Sequence, residues 1–145
     1  MTRFLFDTGV FVYAVGALHP YRDPCREVIR RARKGELRGE ASADLLQELA
    51  HQRFRRTGDR DQAVETAKAV AALCRLHELR PRDAVRGLEL YRSHERLGAR
   101  DAVFAAVALG REIGAILSTD RAFDVVAGLE RVDPADTRAV DALAS

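Results

Sequence analysis

The chain has 145 residues, 47% hydrophobic and 32% charged, a balance that excludes disordered and low-complexity proteins and suits one domain burying about 68–70% of its unfolded surface. The formal net charge is +2 and the pI near 8.8, so bulk charge alone selects no partner. The basic residues, almost all Arg, gather in three groups: Arg30, Arg31, Arg33, Lys34 and Arg38; Arg53, Arg55 and Arg56; and Arg80, Arg82 and Arg86. Each group by itself reads as a solvated helix surface, and the three together give an anionic partner as an expectation, because the guanidinium fork matches phosphate.

Arg3 to Phe6 is short and apolar, is followed by Asp-Thr-Gly, and reads as a buried strand ending at Asp7. Asp7 breaks the apolar N-terminal run and Arg3 alone makes a poor basic region, so this segment is not read as a signal peptide. No uninterrupted apolar stretch of about 18 residues follows that would span a membrane. Thr8 to Val15 reads as a helix. His19-Pro20 and Asp23-Pro24 punctuate a loop, and Cys25 to Lys34 continues as a helix that Gly35 ends.

Glu36 to Ala41 is a weak strand. Ser42 is the expected N-cap of a helix carrying Leu45, Leu46, Leu49 and Phe54. After Thr57-Gly58-Asp59, an Ala-rich helix is expected over Asp61 to His77, then a short strand over Glu78 to Arg80. Pro81 and Asp83 open a helix to about Leu97. Gly98 separates it from a strongly apolar helix, Ala99 to Glu112. Ala115 to Ser118 is a second buried strand with Thr119-Asp120 at its tip, Ala122 to Ala127 a short helix, and Leu129 to Val132 a further strand. A loop and a weak helix finish the chain.

Strands that are continuous apolar runs, alternating with helices, define an α/β protein with a parallel sheet covered on both faces. No linker, repeat or low-complexity segment divides the chain, so residues 1–145 are read as a single domain. Neither Gly-x-Gly-x-x-Gly nor a Walker phosphate loop is present, which removes the main support for a nucleotide-binding reading. Cys25 and Cys74, the two cysteines, have no partner at zinc-ligand spacing and fall in helical apolar patterns. They read as reduced, buried thiols in a cytoplasmic protein. His19, His51, His77 and His94 belong to no triad-like motif and most of them are expected on the surface, His51 lying one turn after Glu48.

In an open parallel sheet the functional crevice lies outside the carboxyl ends of the strands. Asp7 and Asp120 each follow a strand and are expected to face it. A lone Asp there is more often a helix cap, but two of them on different strands point to a site. Asp101 opens a helix that is apolar nearly all round and therefore buried, and a buried carboxylate needs a partner such as a metal ion. Glu48 lies mid-helix and is singled out least by local pattern; Asp44, one turn earlier, competes with it. Arg82-Asp83-Ala84-Val85 repeats the wording of Arg100-Asp101-Ala102-Val103, and Asp83 is read as a helix cap after Pro81. Carboxylates in such numbers suit phosphodiester hydrolysis once Mg²⁺ or Mn²⁺ offsets their charge against an anionic substrate.

Phe4-Leu5-Phe6-Asp7-Thr8, the mid-chain Glu48, Arg100 to Ala106, and Ile116-Leu117-Ser118-Thr119-Asp120 followed by Phe123 resemble the corresponding segments of PIN domains. Size and motif order are similar to VapC-type toxins of type II toxin–antitoxin systems, over essentially the whole chain. The resemblance implies a three-layer α/β/α sandwich and a Mg²⁺- or Mn²⁺-dependent endoribonuclease that hydrolyses RNA with metal-activated water. It implies Asp7, Glu48, Asp101 and Asp120 as the catalytic and metal-holding acids, with Thr8, Thr119 and Asp124 in support. It further implies an RNA substrate, a cognate antitoxin and a homodimer. Two other readings keep the fold: an RNA-processing PIN nuclease without an antitoxin, and a module that holds RNA or a protein without cutting. An aspartyl-nucleophile phosphotransferase is disfavoured by Gly9, where a second Asp is usual.

Overall fold

A computed structural model describes residues 1–145. The strands are β1 (Arg3–Phe6), β2 (Arg38–Ser42), β3 (Arg75–His77), β4 (Ala115–Leu117) and β5 (Glu130–Val132). The helices are α1 (Thr8–Val15), α2 (Arg22–Arg33), α3 (Leu45–Thr57), α4 (Arg60–Leu73), α5 (Pro81–Ser93), α6 (Ala99–Gly110) and α7 (Thr137–Leu143), with a 3-10 turn over Arg121–Val125. All neighbouring strands are parallel, in the order β3-β2-β1-β4-β5.

This is the expected three-layer α/β/α arrangement. From β1 the chain winds outward through β2 to β3, then crosses back over β1 to β4 and on to β5. Right-handed crossovers place helices on opposite faces when the winding direction reverses. Accordingly α1 packs on α2 and α3, α3 on α4, and α5 on α6. No helix is long and apolar enough to cross a membrane.

The centre of the sheet is β1, whose Phe4, Leu5 and Phe6 are wholly buried. Phe4 and Phe6 alternate onto one face and meet edge-on at 5.0 Å, and Phe6 continues to Phe11 of α1 at 4.9 Å. Gly39 of β2, in register with Phe4, makes this packing possible: a Cβ there would fall 2.2 Å from Cε2 of Phe6. The opposite face carries Arg3, whose guanidinium donates twice to the buried Glu40 carboxylate at 2.8 and 3.0 Å. Between α5 and α6 the close approach is set by Gly87, where a Cβ would stand 3.2 Å from Cα of Val103.

Four local expectations are corrected. The Ala-rich helix stops at Leu73, and β3 comprises Arg75–His77 rather than Glu78 to Arg80. Cys74 turns extended, and the next three residues pair with Glu40–Ser42 of β2, so sheet pairing overrides helix propensity. His77 is thereby one of the buried residues, and its Nε2 donates to Glu40 at 2.7 Å. Ser42 ends β2 and bonds the Asp44 side chain instead of capping a helix, so α3 starts at Leu45 without a side-chain cap. The helix expected to reach Leu97 ends at Ser93. Asp83 caps α5 as expected, accepting from the Arg80 N–H at 2.9 Å, and it also accepts from Arg111 at 3.0 Å.

Gly39→Ala tests the packing around β1. The added methyl has no room beside two immobile rings, and overpacking of this kind costs about 1–3 kcal/mol. A lower urea midpoint with an unchanged slope is the expected result.

Candidate active site

The winding direction reverses between β1 and β4, and their carboxyl ends leave a crevice between diverging connections. Asp7 follows β1 directly, and its N–H donates to the Leu117 carbonyl of β4 at 3.0 Å. Asp120 stands just beyond β4. Asp101 lies in the first turn of α6 and Glu48 in the first turn of α3. All four carboxylates line one cavity of about 380 Å³, together with Thr8 and Thr119. Glu48 arrives there because α3 starts immediately after the carboxyl end of β2, with Leu45 and Leu49 wholly buried on the neighbouring face.

The acids are oriented by hydroxyls and amides. Ser118 Oγ donates to Asp7 Oδ2 at 2.6 Å and accepts from the Asp120 N–H at 3.0 Å. Thr8 Oγ1 donates to Glu48 Oε2 at 3.1 Å, and Gln52 Nε2 donates to Glu48 Oε1 at 3.2 Å. Asp7 and Asp120 also act as caps, accepting from the N–H groups of Thr8 and Ala122 at 2.9 Å. Catalytic and capping geometry therefore coexist on the same side chains. Asp124 lies elsewhere, in an ion pair with Arg131 at 2.7 Å. Asp44 does not line this cavity; it borders an adjoining cleft that shares Glu48 and is also lined by Gln47, His51 and Arg100.

Sequence pattern does not single out Ser118. It is a fully buried hydroxyl at the end of an apolar strand, directly ahead of Thr119-Asp120, and that contrast of polarity is the available signal. Gln52, one turn beyond Glu48 on the same helix face, is a second such residue.

The electrostatics of the cavity differ from those of every other buried acid in the fold. The Arg3 guanidinium, with His77, holds Glu40 down at about 2. Burial alone would raise Asp83, but the Arg80 amide and the Arg111 guanidinium hold it below the usual carboxylate range. Asp7, only 7% exposed, has no such partner: burial, then the charges of Glu48 and Asp120, push it up to about 6 against the hydrogen bond from Ser118. Asp101 rises to about 7, through burial, the charges of Asp7, Asp120 and Glu48, and a hydrogen bond shared with the Asp120 carboxyl. Arg56 lines the cavity but forms no ion pair with any of the four.

Uncompensated negative charge among oxygen donors fits a hard divalent cation. As the side chains lie, no three acids, histidines or cysteines close around one point. Mg²⁺ does not require that, because it keeps several waters and takes one or two carboxylates directly. Asp7 and Asp101 are the acids that would hold it, with Glu48 and Asp120 completing the site.

The fold and the acidic crevice define a class of doubly wound α/β proteins with carboxylates at the switch between two central strands. The PIN domain family model matches residues 4–129. The chain is 36% identical over 132 residues to "Ribonuclease VapC7" of Mycobacterium tuberculosis, covering 90% of each protein. It is 34% identical over 116 residues to "Ribonuclease VapC23" of the same species, covering 79% of this chain and 90% of the relative. Among solved structures, VapBC2 from Rickettsia felis bound to a promoter DNA fragment superposes with a TM-score of 0.69 at 15% identity, over 90% of this chain and 98% of that one. VapC20 of M. tuberculosis, a Sarcin-Ricin loop cleaving toxin, gives a TM-score of 0.67 at 19% identity, over 88% and 98%. The chain belongs to the PIN-domain family, among its VapC members.

The raised carboxyls make stability depend on pH in a defined direction. The native state holds protons on Asp7 and Asp101 that the unfolded chain has already released, so their contribution is complete below the ordinary carboxylate pKa and is lost as pH rises through about 6 and 7. Melting in EDTA is therefore expected to fall by a few degrees between about pH 5 and about pH 8, and Asp101→Asn to melt above the parent at the upper end. Circular dichroism melts read both effects; an Asp101→Asn protein that loses as much stability as the parent over this range would contradict the assignment.

Proposed function

We propose that this chain is a metal-dependent endoribonuclease, the toxin of a toxin–antitoxin pair, which hydrolyses RNA phosphodiester bonds in the cavity between β1 and β4. The observation that carries this reading is the convergence of Asp7, Glu48, Asp101 and Asp120 on one cavity with no cation paired to them. Relatives named as VapC ribonucleases and structural neighbours that are toxin–antitoxin complexes support it.

Asp7 and Asp101 would be the principal metal ligands, and Glu48 and Asp120 would complete the site. When bound, Mg²⁺ or Mn²⁺ supplies the positive charge that admits a phosphodiester among carboxylates and acidifies water for attack. Ser118 fixes the Asp7 rotamer and ties it to the backbone of Asp120, so the ends of the two strands act as one unit. Thr8 and Gln52 do the same for Glu48.

A second cleft, sharing Gln52 and Arg56 with the carboxylate cavity, is lined by His51, Arg55 and Arg100. These arginines make no ion pairs, unlike Arg30, Arg31 and Arg38, which are paired to Glu27, Asp141 and Glu40. Of the three basic groups in the sequence, the Arg53 to Arg56 group is the one beside the acids, and it takes the RNA backbone. Binding of a cognate antitoxin and homodimerisation belong to the same reading. Val85, Leu88 and Tyr91 leave an exposed apolar row on α5 for a protein partner.

Purified protein is expected to cleave RNA in the presence of Mn²⁺ and to be toxic on expression. Asp101→Asn and Glu48→Gln are expected to lower cleavage by at least about 100-fold while leaving the fold intact, in line with loss of charge stabilisation at a phosphoryl centre. Absence of Mn²⁺-stimulated cleavage, together with undiminished toxicity of Asp101→Asn, would overturn the reading. Replacing Arg55 and Arg100 together by Ala is expected to flatten the dependence of log binding constant on log salt by about 0.7 for each phosphate no longer neutralised.

A further inference from the structure

The carboxylate cavity has two unlike walls. On the α3 side stand Glu48, Gln52 and Arg56, continuous with the arginine cleft. On the other side the wall is the end of α1 and the loop after it, and it presents Tyr13, Leu18 and His19. This second wall carries no lysine or arginine, so it has nothing to attract a phosphate. What it carries is aromatic surface.

The rings are held rather than free. Tyr13 packs on His19 at 4.6 Å and on Tyr21 at 5.4 Å, and His19 lies nearly parallel to Tyr21 at 6.0 Å. Tyr21 is the anchor: its hydroxyl donates to Asp133 at 2.8 Å, beyond the end of β5. Its N–H donates to Nδ1 of His19 at 3.1 Å. That bond makes Nδ1 an acceptor, so in the neutral imidazole the proton sits on Nε2, which is left to donate elsewhere. Leu18, beside them, is 81% exposed and adds nothing to the core.

We propose that Tyr13 and His19 form a stacking subsite for one unpaired nucleobase adjoining the scissile phosphate. This rests on the ribonuclease reading above and adds the position and chemistry of a base-binding wall. Bases of single-stranded RNA stack on aromatic side chains whatever their identity, and a rigid platform loses little freedom on binding them. The substrate then lies across the cavity in one sense, with a splayed base on Tyr13 and His19, the phosphodiester over the carboxylates, and the following backbone on Arg56, Arg55 and Arg100. Tyr13 and His19 act as positioning residues, since they touch the base and not the reacting phosphorus.

The test uses a short single-stranded RNA with 2-aminopurine placed in turn at each nucleotide flanking the mapped cut, bound in Ca²⁺ and cleaved in Mn²⁺. The parent is expected to quench the probe at one flanking position. Tyr13→Leu and His19→Ala should abolish that quench and raise KM by about 5- to 150-fold, the range expected for one missing base stack, with kcat changed less than about twofold. Tyr13→Phe should retain both properties. An abasic residue at the quenched position should weaken the parent to the level of Tyr13→Leu and add nothing to that variant; its effect on the parent needs no substitution in the protein. Unchanged KM in both variants, or an abasic penalty that is equal in parent and variant, would overturn the subsite. If the parent failed to cleave at all, the ribonuclease reading would fall, and the quenching arm in Ca²⁺, run with 2-aminopurine at every position of the RNA in turn, would still decide whether a base sits on these rings.

Discussion

Negative charge held without a cation is the constraint on which the rest of this molecule depends. Glu40 and Asp83 are buried as deeply as Asp7, and each is neutralised within the fold by a guanidinium, Arg3 or Arg111, with His77 adding a hydrogen bond to Glu40. Asp7 is given a hydroxyl and an amide instead, which orient a carboxylate but do not cancel its charge. With Asp101, Asp120 and Glu48 facing the same cavity, burial first and mutual repulsion second raise the carboxyl pKa values of Asp7 and Asp101. A fold that sets guanidinium groups against two buried acids and withholds them from a third, amid three more carboxylates, leaves that charge for something that binds.

The sheet makes this arrangement possible. β1 is central and wholly buried, so the backbone that carries Asp7 cannot relax away from the other acids. The edge-on packing of Phe4 and Phe6 against Gly39 fixes β1 on one face, and the Arg3 to Glu40 pair ties it to β2 on the other. Asp83 and Arg111 lock the start of α5 to the residue following α6, the helix that presents Asp101. Ion pairs remote from the cavity thus act as braces for the acids that have none.

The surroundings of the acids are asymmetric, and that asymmetry gives the cavity a direction. Unpaired arginines lie on the α3 side and anchored aromatic rings on the α1 side. For the proposed chemistry, a polyanion with flat, apolar bases meets its backbone's complement on one wall and its bases' complement on the other.

Much of this is legible in the sequence, for reasons that are local. Apolar runs ending in Asp read directly as buried parallel strands with an acid at the tip, because a strand covered on both faces has no polar alternation and its carboxyl end opens on the crevice. Asp7 and Asp120 are visible on that ground, and Asp101 through the apolar helix it opens. Asp83 reads as a cap in spite of its repeated motif, and its bond to the Arg80 N–H is that cap. Glu48 has no local signature, since a glutamate in mid-helix is ordinarily solvated; its place in the cavity follows from where α3 starts relative to β2. Ser118 has the look of a strand end and no more, and β3 is hidden in an Ala-rich helical pattern that loses to pairing with β2. The aromatic wall joins Tyr13, His19 and Tyr21 through a bond to Asp133, far along the chain. The sequence by itself determined most of the elements, the parallel sheet and the acids at its strand ends, because these depend on burial and periodicity within short windows. Tertiary structure alone decided which buried acids receive a cation and which do not, because ion pairing is settled between residues that no local pattern brings together.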